Sequence, residues 1–276
     1  MRIASNLFAL QSEDGRPEAR RSIDACVAEI RDAGFQGVEG AEPEVLAAAR
    51  AYGLMCCGTY VGAPLHLPWA ESGLEIVALD AARRLADAGG GYLAVNGDPK
   101  GGWAERQVKS DDDLKRQGEN LSRLAERLAG QPVDVVLHNH ADRSDLHLGD
   151  LRSVTDFASD AVGVCLDTGW ALASGDDPVA RARALGSRVR AVHLRNGRGA
   201  LPTEWLGEGD IDLAAFVGVL RAGGYDGWLT TELWHRADVT RTRSLLACHQ
   251  ASIAFLQRAW FVPAEQGAET ERRSDR

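Results

Sequence analysis

The stretch that decides the fold is Val133-Asp-Val-Val-Leu-His138, a short apolar run that closes on a side chain able to bind a metal. Three later runs have the same form: Val162-Gly-Val-Cys-Leu-Asp167, Val189-Arg-Ala-Val-His193 and Gly227-Trp-Leu-Thr-Thr-Glu232. Helical sequence separates each run from the next, a pattern that predicts parallel β-strands. In a closed parallel barrel the carboxyl ends of all strands lie on one face, so these four endings should converge.

The alternation of strand-like and helix-like runs extends over the whole chain and predicts eight strand–helix units. The first four strands are expected at Arg2–Phe8, Gly37–Gly40, Leu54–Tyr60 and Tyr92–Val95. Three of the later helices are expected near Asp150–Phe157, Pro178–Leu185 and Leu213–Ala222. The prediction is an α/β fold, a (β/α)8 TIM barrel that forms a single domain over residues 1–262. Residues 263–276 lose all periodicity and are expected to form a disordered C-terminal tail.

Composition excludes several classes of function. The chain has 276 residues and a net charge of −9, which argues against a nucleic-acid partner because phosphate binders carry a basic stripe. No segment approaches the ~18 uninterrupted apolar residues of a membrane span, and the N-terminus has no signal-peptide pattern. The five cysteines are odd in number and lack metal-type spacing, so they are expected to be reduced core residues of a cytoplasmic protein.

The four strand endings predict a divalent-metal site made of His138, Asp167, His193 and Glu232. Imidazole favours transition metals and carboxylates accept harder ions, so the set suits Mn²⁺, Fe²⁺, Co²⁺, Zn²⁺ or Mg²⁺. His140 follows His138 by two positions, which leaves open which of the two is the ligand. A histidine has a pKa of ~6.5 when unperturbed, so His138 and His140 are also candidate acid–base groups. Glu232 is predicted to act as ligand and base together.

Other strand ends and loops provide candidate substrate-binding residues. Glu39 ends the second strand, and Asn6 and Asn96 lie where hydroxyl groups could be bound. His66 lies in a loop after the third strand that is suited to cover a sugar ring, and Trp170 follows Asp167 closely. The remaining histidines, His147, His235 and His249, are expected at the surface.

The motifs, in their order and separation, resemble the sugar phosphate isomerase/epimerase superfamily, the xylose isomerase-like barrels, from Arg2 to about Trp260. The matching segments are Ala33-Gly-Phe-Gln-Gly-Val-Glu39, Leu137-His-Asn-His140, Leu166-Asp-Thr-Gly-Trp170, Val192-His193-Leu-Arg-Asn196, Leu206-Gly-Glu-Gly-Asp-Ile-Asp212 and Gly224-Tyr-Asp-Gly227 followed by Glu232. The resemblance implies a divalent metal held by four of the later strands, and Asp167, His193 and Glu232 match three of the ligand positions. His138 departs from the pattern, because many epimerases have Glu there. The inosose dehydratase-like members, with a His-x-His motif, are more similar at this point. Trp170 also departs, since the epimerases often have His at that position.

The resemblance implies an enzyme that acts on a small keto-sugar, related polyol or cyclitol. The expected reaction is isomerisation or epimerisation, by abstraction of an α-proton through a metal-stabilised enediolate. Because His138 replaces one carboxylate, a dehydratase that eliminates a β-hydroxyl group remains an alternative. A barrel that binds sugar without catalysis is a second alternative. Members of this superfamily often form homo-oligomers, so the resemblance leaves that assembly open as well.

Overall fold

The computed structural model describes residues 1–11, 21–199, 201–234 and 241–261. Eight parallel strands form a closed barrel in the order β1-β8-β7-β6-β5-β4-β3-β2. We number these strands β1 to β8 in chain order: Arg2–Ser5, Gly37–Glu39, Met55–Ala63, Gly91–Gly97, Val133–His138, Gly163–Asp167, Val189–Leu194 and Trp228–Thr231. The first and last strands close the barrel, with Arg2 opposite Trp228 and Ser5 opposite Thr231. The predicted (β/α)8 fold is confirmed.

Helices surround the barrel. In the described residues they are numbered α1 to α11 in chain order: Phe8–Gln11, Ile23–Ala33, Pro43–Ala51, Leu74–Asp87, Gly102–Glu105, Asp111–Arg127, Ser144–Thr155, Thr168–Ala173, Pro178–Leu185, Leu213–Ala222 and Leu245–Phe261. A short antiparallel pair, Gly197–Arg198 with Leu201–Pro202, follows β7. None of these helices is long and apolar enough to cross a membrane.

Local sequence explains where the helices begin. The Ser110 hydroxyl accepts from the backbone N–H of Asp113, whose carboxylate accepts from the Ser110 N–H in return. This capping box satisfies two donors that would otherwise lack partners and starts α6. The Asp177 carboxylate caps α9 by accepting from the backbone N–H of Val179, and Pro178 occupies the first helical position, where its missing N–H costs nothing. The helix predicted near Asp150–Phe157 lies earlier in the chain than expected: α7 begins at Ser144 and ends at Thr155.

Two apolar layers hold the barrel together. The larger lies between strands and helices, where residues such as Ile30, Leu121 and Phe216 are fully buried. The smaller lies inside the barrel and includes Tyr92 and Trp228. All five cysteines are buried thiols, as expected. The filled interior leaves the carboxyl-terminal mouth as the place where polar side chains gather. The C-terminal segment expected to be disordered, residues 263–276, lies outside the described residues.

Candidate active site and metal centre

The four predicted ligand side chains meet at the carboxyl-terminal mouth of the barrel. Each is carried by the end of a strand: His138 ends β5, Asp167 ends β6, His193 lies in β7 and Glu232 follows β8. One ligand atom from each lies within 4.8 Å of those from the others. His193 Nδ1 is 2.8 Å from Glu232 Oε2 and 3.1 Å from His138 Nε2. His138 Nε2 is 3.7 Å from Asp167 Oδ2.

These distances fit one divalent ion. Bonds of ~2.1 Å from a metal to nitrogen or oxygen place neighbouring ligand atoms roughly 3 to 3.5 Å apart. The mixed set of two imidazoles and two carboxylates suits the transition metals named above. The second ring nitrogen of His193, Nε2, lies 3.0 Å from Glu39 Oε1 and donates to it. A carboxylate that binds the second nitrogen of a histidine fixes its tautomer and orientation, so Glu39 leaves Nδ1 of His193 available to a metal.

Arg195 contacts two members of this set, Asp167 and Glu232, although the sequence pattern did not predict it as a site residue. Its guanidinium is buried and contacts Asp167 twice, from Nη2 to Oδ2 at 2.7 Å and from Nε to Oδ1 at 3.2 Å. Its Nη1 is 3.7 Å from Glu232 Oε1. The signal in the sequence was its spacing. Arg195 follows His193 by two positions, directly after the end of β7, and residues two apart in an extended chain point to the same side.

The charges of the site stabilise one another. Burial favours the neutral acid at Asp167, but Arg195 and His138 outweigh it and hold the pKa of that carboxyl well below its usual range. Burial also favours the neutral acid at Glu232, but Arg195 and His193 outweigh it and lower the pKa of that carboxyl. Burial alone would lower the pKa of His193, but Cys165, Glu39 and Glu232 raise it well above the usual value. Both carboxylates are therefore ionised at neutral pH.

His140 occupies a different environment from His138. Its ring lies between Trp170, with centroids 4.5 Å apart, and Trp103, with centroids 5.2 Å apart. Burial and the neighbouring His138 lower the pKa of His140 to about 4, so this imidazole is neutral at physiological pH. In the described residues, neither His140 Nδ1 nor His138 Nδ1 has a hydrogen-bond partner. His140 stands outside the group of ligand atoms, and His138 stands within it.

A cavity of about 670 Å³ opens above the ligand set. Of the predicted site residues, those that line it are Asn6, Glu39, His138, His140, Trp170, His193 and Glu232. Asn96 and His66 are buried but do not line this cavity. Asn96 donates to the carboxylate of Asp98, and the carbonyl of His66 accepts from Arg116. Their roles in substrate binding stay predictions.

Two histidines expected at the surface are buried instead. His147 has no exposed area and bonds through Nε2 to Asp176 Oδ2 at 3.0 Å. His249 is also buried, with its ring edge against Phe35. The expectation was wrong because both lie in helices, α7 and α11, on the faces that pack inward. His235 lies outside the described residues.

A parallel barrel of eight strands with two buried His, a buried Asp and a half-buried Glu at its mouth defines a class of (β/α)8 proteins with a candidate metal centre. The chain belongs to the xylose isomerase-like TIM barrel family, whose model matches residues 27–258.

Comparison with known proteins finds several that are similar to this chain, among them the following three. The rhizopine catabolism protein MocC of Rhizobium meliloti is 26% identical over 244 residues, covering 76% of this chain and 74% of that protein. The inosose dehydratase of Lacticaseibacillus casei is 25% identical over 148 residues, so the chain spans 48% of its length. A solved structure of L-ribulose 3-epimerase superposes with a TM-score of 0.70 at 20% identity and covers 94% of both chains. That structural likeness shows the fold.

Proposed function

We propose that this protein is a divalent-metal-dependent isomerase or epimerase of a small keto-sugar or related polyol. The observation that carries the proposal is the convergence of His138, Asp167, His193 and Glu232 below a cavity large enough for such a substrate. Pockets of roughly 300–1,000 Å³ are typical for small molecules. The relatives named above as an epimerase and a dehydratase support chemistry on sugars and cyclitols.

A divalent ion held by these four residues would polarise a substrate carbonyl and stabilise the enediolate left by loss of an α-proton. Glu232 is the base in this scheme, because it is ionised and lines the cavity. Arg195 holds Asp167 and lies near Glu232, so it spreads positive charge beneath the substrate. Neutral His140 can donate or accept a hydrogen bond to a substrate hydroxyl.

The site is asymmetric, which favours isomerisation over epimerisation. Epimerisation needs a group on each face of the substrate, one to remove the proton and one to return it. Here Glu232 supplies a carboxylate on one side, whereas His138 takes the place of a second. A single base can move a proton between adjacent carbons on one face, so we favour an isomerase that shifts a carbonyl group along the substrate.

One observation favours dehydration as a second candidate. His138 and His140 both line the cavity, and the Nδ1 atom of each lacks a partner among the described residues. A neutral imidazole in that position could donate a hydrogen bond to a β-hydroxyl as it leaves. The inosose dehydratase relatives support this alternative, although the chain spans only about half of their length.

The charges around the cavity favour a substrate without phosphate. Glu39, Glu42, Glu44 and Glu232 line it, and the guanidinium of Arg195 is already bound to Asp167. A phosphate group would therefore meet more negative than positive charge among the described lining residues. We infer that the natural substrate is an uncharged sugar or cyclitol.

The test is proton exchange in D₂O. Metal-stripped protein is reloaded with Mn²⁺, Co²⁺, Zn²⁺ or Mg²⁺, incubated with neutral keto-sugars and inososes, and followed by NMR and mass spectrometry. Deuterium incorporation into a rearranged product of unchanged composition supports the isomerase, and loss of water supports the dehydratase. Glu232→Gln should abolish exchange, whereas Glu126→Gln, an exposed carboxylate on α6, should leave it unchanged. Sugar binding without exchange for any metal would contradict the proposal and favour a binding barrel.

A further inference from the structure

The backbone of Asp167 is held from the β5 side by a side chain. The pairing of β5 with β6 ends where His138 lies opposite Cys165, before Asp167 is reached. Beyond this point, the fully buried side-chain amide of Asn139 binds the backbone of β6 in place of strand-to-strand hydrogen bonds. Its Oδ1 accepts from the Asp167 N–H at 2.7 Å, and its Nδ2 donates to the Asp167 carbonyl at 3.2 Å. Both backbone groups of Asp167 are therefore bound by one side chain.

The amide of Asn139 is itself held by His147. Since Oδ1 accepts from Asp167, Nδ2 must be the donor, and its second hydrogen points to His147 Nδ1 at 3.5 Å. Nδ1 then acts as the acceptor, so the proton of this ring is on Nε2 and is donated to Asp176 Oδ2 at 3.0 Å. Arg181 fixes the same carboxylate with two contacts, at 2.7 and 3.2 Å. The chain of bonds runs from an arginine on α9 to the backbone of a strand in the barrel.

We propose that Asn139, His147 and Asp176 form a positioning relay for Asp167. Arg195 binds both oxygens of the Asp167 carboxylate. The relay fixes the backbone of the same residue, so Asp167 is held at its carboxylate and at its backbone. The relay therefore keeps Oδ2 in the group of four ligand atoms.

This inference rests on the proposed function for its metal readout, but its backbone claim does not need a metal. A role in packing alone would make His147 variants less stable and leave Asp167 unchanged in the folded protein. A positioning role changes Asp167 itself. The two can be separated because one measurement follows the Asp167 amide in metal-free protein and the other follows Co²⁺ binding.

The variants differ in what they leave for Asn139. His147→Leu removes both nitrogens, whereas His147→Asn keeps an acceptor near the position of Nδ1. Asp176→Asn weakens the far end of the relay and serves if His147→Leu does not fold. Asp177→Ala is the matched control, because the neighbouring Asp177 caps α9 and does not bond to His147. It should lower the Tm through loss of the cap alone.

For His147→Leu we expect the Asp167 amide to exchange at least about tenfold faster by NMR, and Co²⁺ to bind about 10- to 100-fold more weakly by absorbance titration. His147→Asn should recover most of both losses, and Asp177→Ala should show neither. Unchanged exchange and Co²⁺ affinity in folded His147→Leu and Asp176→Asn would overturn the relay, as would equal losses in Asp177→Ala. If wild-type protein binds none of Co²⁺, Mn²⁺, Zn²⁺ and Mg²⁺, the proposed function fails while the exchange measurement still tests the relay.

Discussion

Removal of the Glu39 carboxylate gives the sharpest test of the proposed metal centre, because Glu39 binds the candidate ligand His193 and lies outside the set of four candidate ligands. Its Oε1 accepts from His193 Nε2 at 3.0 Å, and both side chains are buried. A hydrogen bond that involves a charged group contributes about 1.5–3 kcal/mol. Since about 1.4 kcal/mol corresponds to a tenfold change in affinity, Glu39→Ala should weaken metal binding roughly 10- to 100-fold. Glu39→Gln keeps an oxygen acceptor and should lose only about 3- to 10-fold.

The assay is a titration of metal-stripped protein with Co²⁺, followed by absorbance and by calorimetry. Glu126→Ala removes one exposed carboxylate from α6 and should bind Co²⁺ as the wild type does. Circular dichroism establishes that each variant is folded before titration. A folded Glu39→Ala protein whose Co²⁺ dissociation constant stays within twofold of wild type would refute the assignment of Glu39 as the support of His193.

The other predictions concern the scaffold. A Cβ at Gly118 would lie 2.4 Å from the backbone oxygen of Ser153, so Gly118→Ala should force α6 and α7 apart and cost roughly 1–3 kcal/mol in thermal or urea unfolding. Gly149→Ala is the control, since its Cβ would meet only side-chain atoms at 3.7 Å or more and should not destabilise the protein. Burial opposes ionisation of Asp113, but bonds from Lys100 and Ser110 lower its pKa to about 2, below the usual 3.8. The ionised Asp113 carboxylate therefore stabilises the folded protein at pH values above the usual pKa of 3.8, and this stabilisation is lost as pH falls through about 2. The stability difference between wild type and Asp113→Asn should therefore be largest above pH 5 and shrink between about pH 4 and 2, and a constant difference would contradict it.

Much of the fold followed from local pattern. The strand endings at His138 and Asp167 were predicted at the residues where the structure has them, because each apolar run is short and ends on a polar side chain. The predicted ending at His193 lies one residue before the observed end of β7 at Leu194. The helices at Pro178–Leu185 and Leu213–Ala222 were predicted with their observed bounds. The helix expected near Asp150–Phe157 begins earlier than predicted, at Ser144. Its start was missed because its first turn is polar and its buried face includes polar residues, so the sequence shows no apolar stripe there.

The sequence by itself determined the barrel and the convergence of four ligand-type residues, because parallel strands in a closed barrel bring their carboxyl ends to one face. It could not determine which side chains bind and orient those four residues. Glu39 and His193 are 154 positions apart, and Arg195 and Asp167 are 28 apart. Whether such pairs bond depends on strand register and on the direction of each side chain, which no local pattern encodes. The burial of His147 and its link to Asn139 were decided in the same way, by the packing of α7 against the end of β5. Only the tertiary structure supplied the partners that orient the candidate ligands.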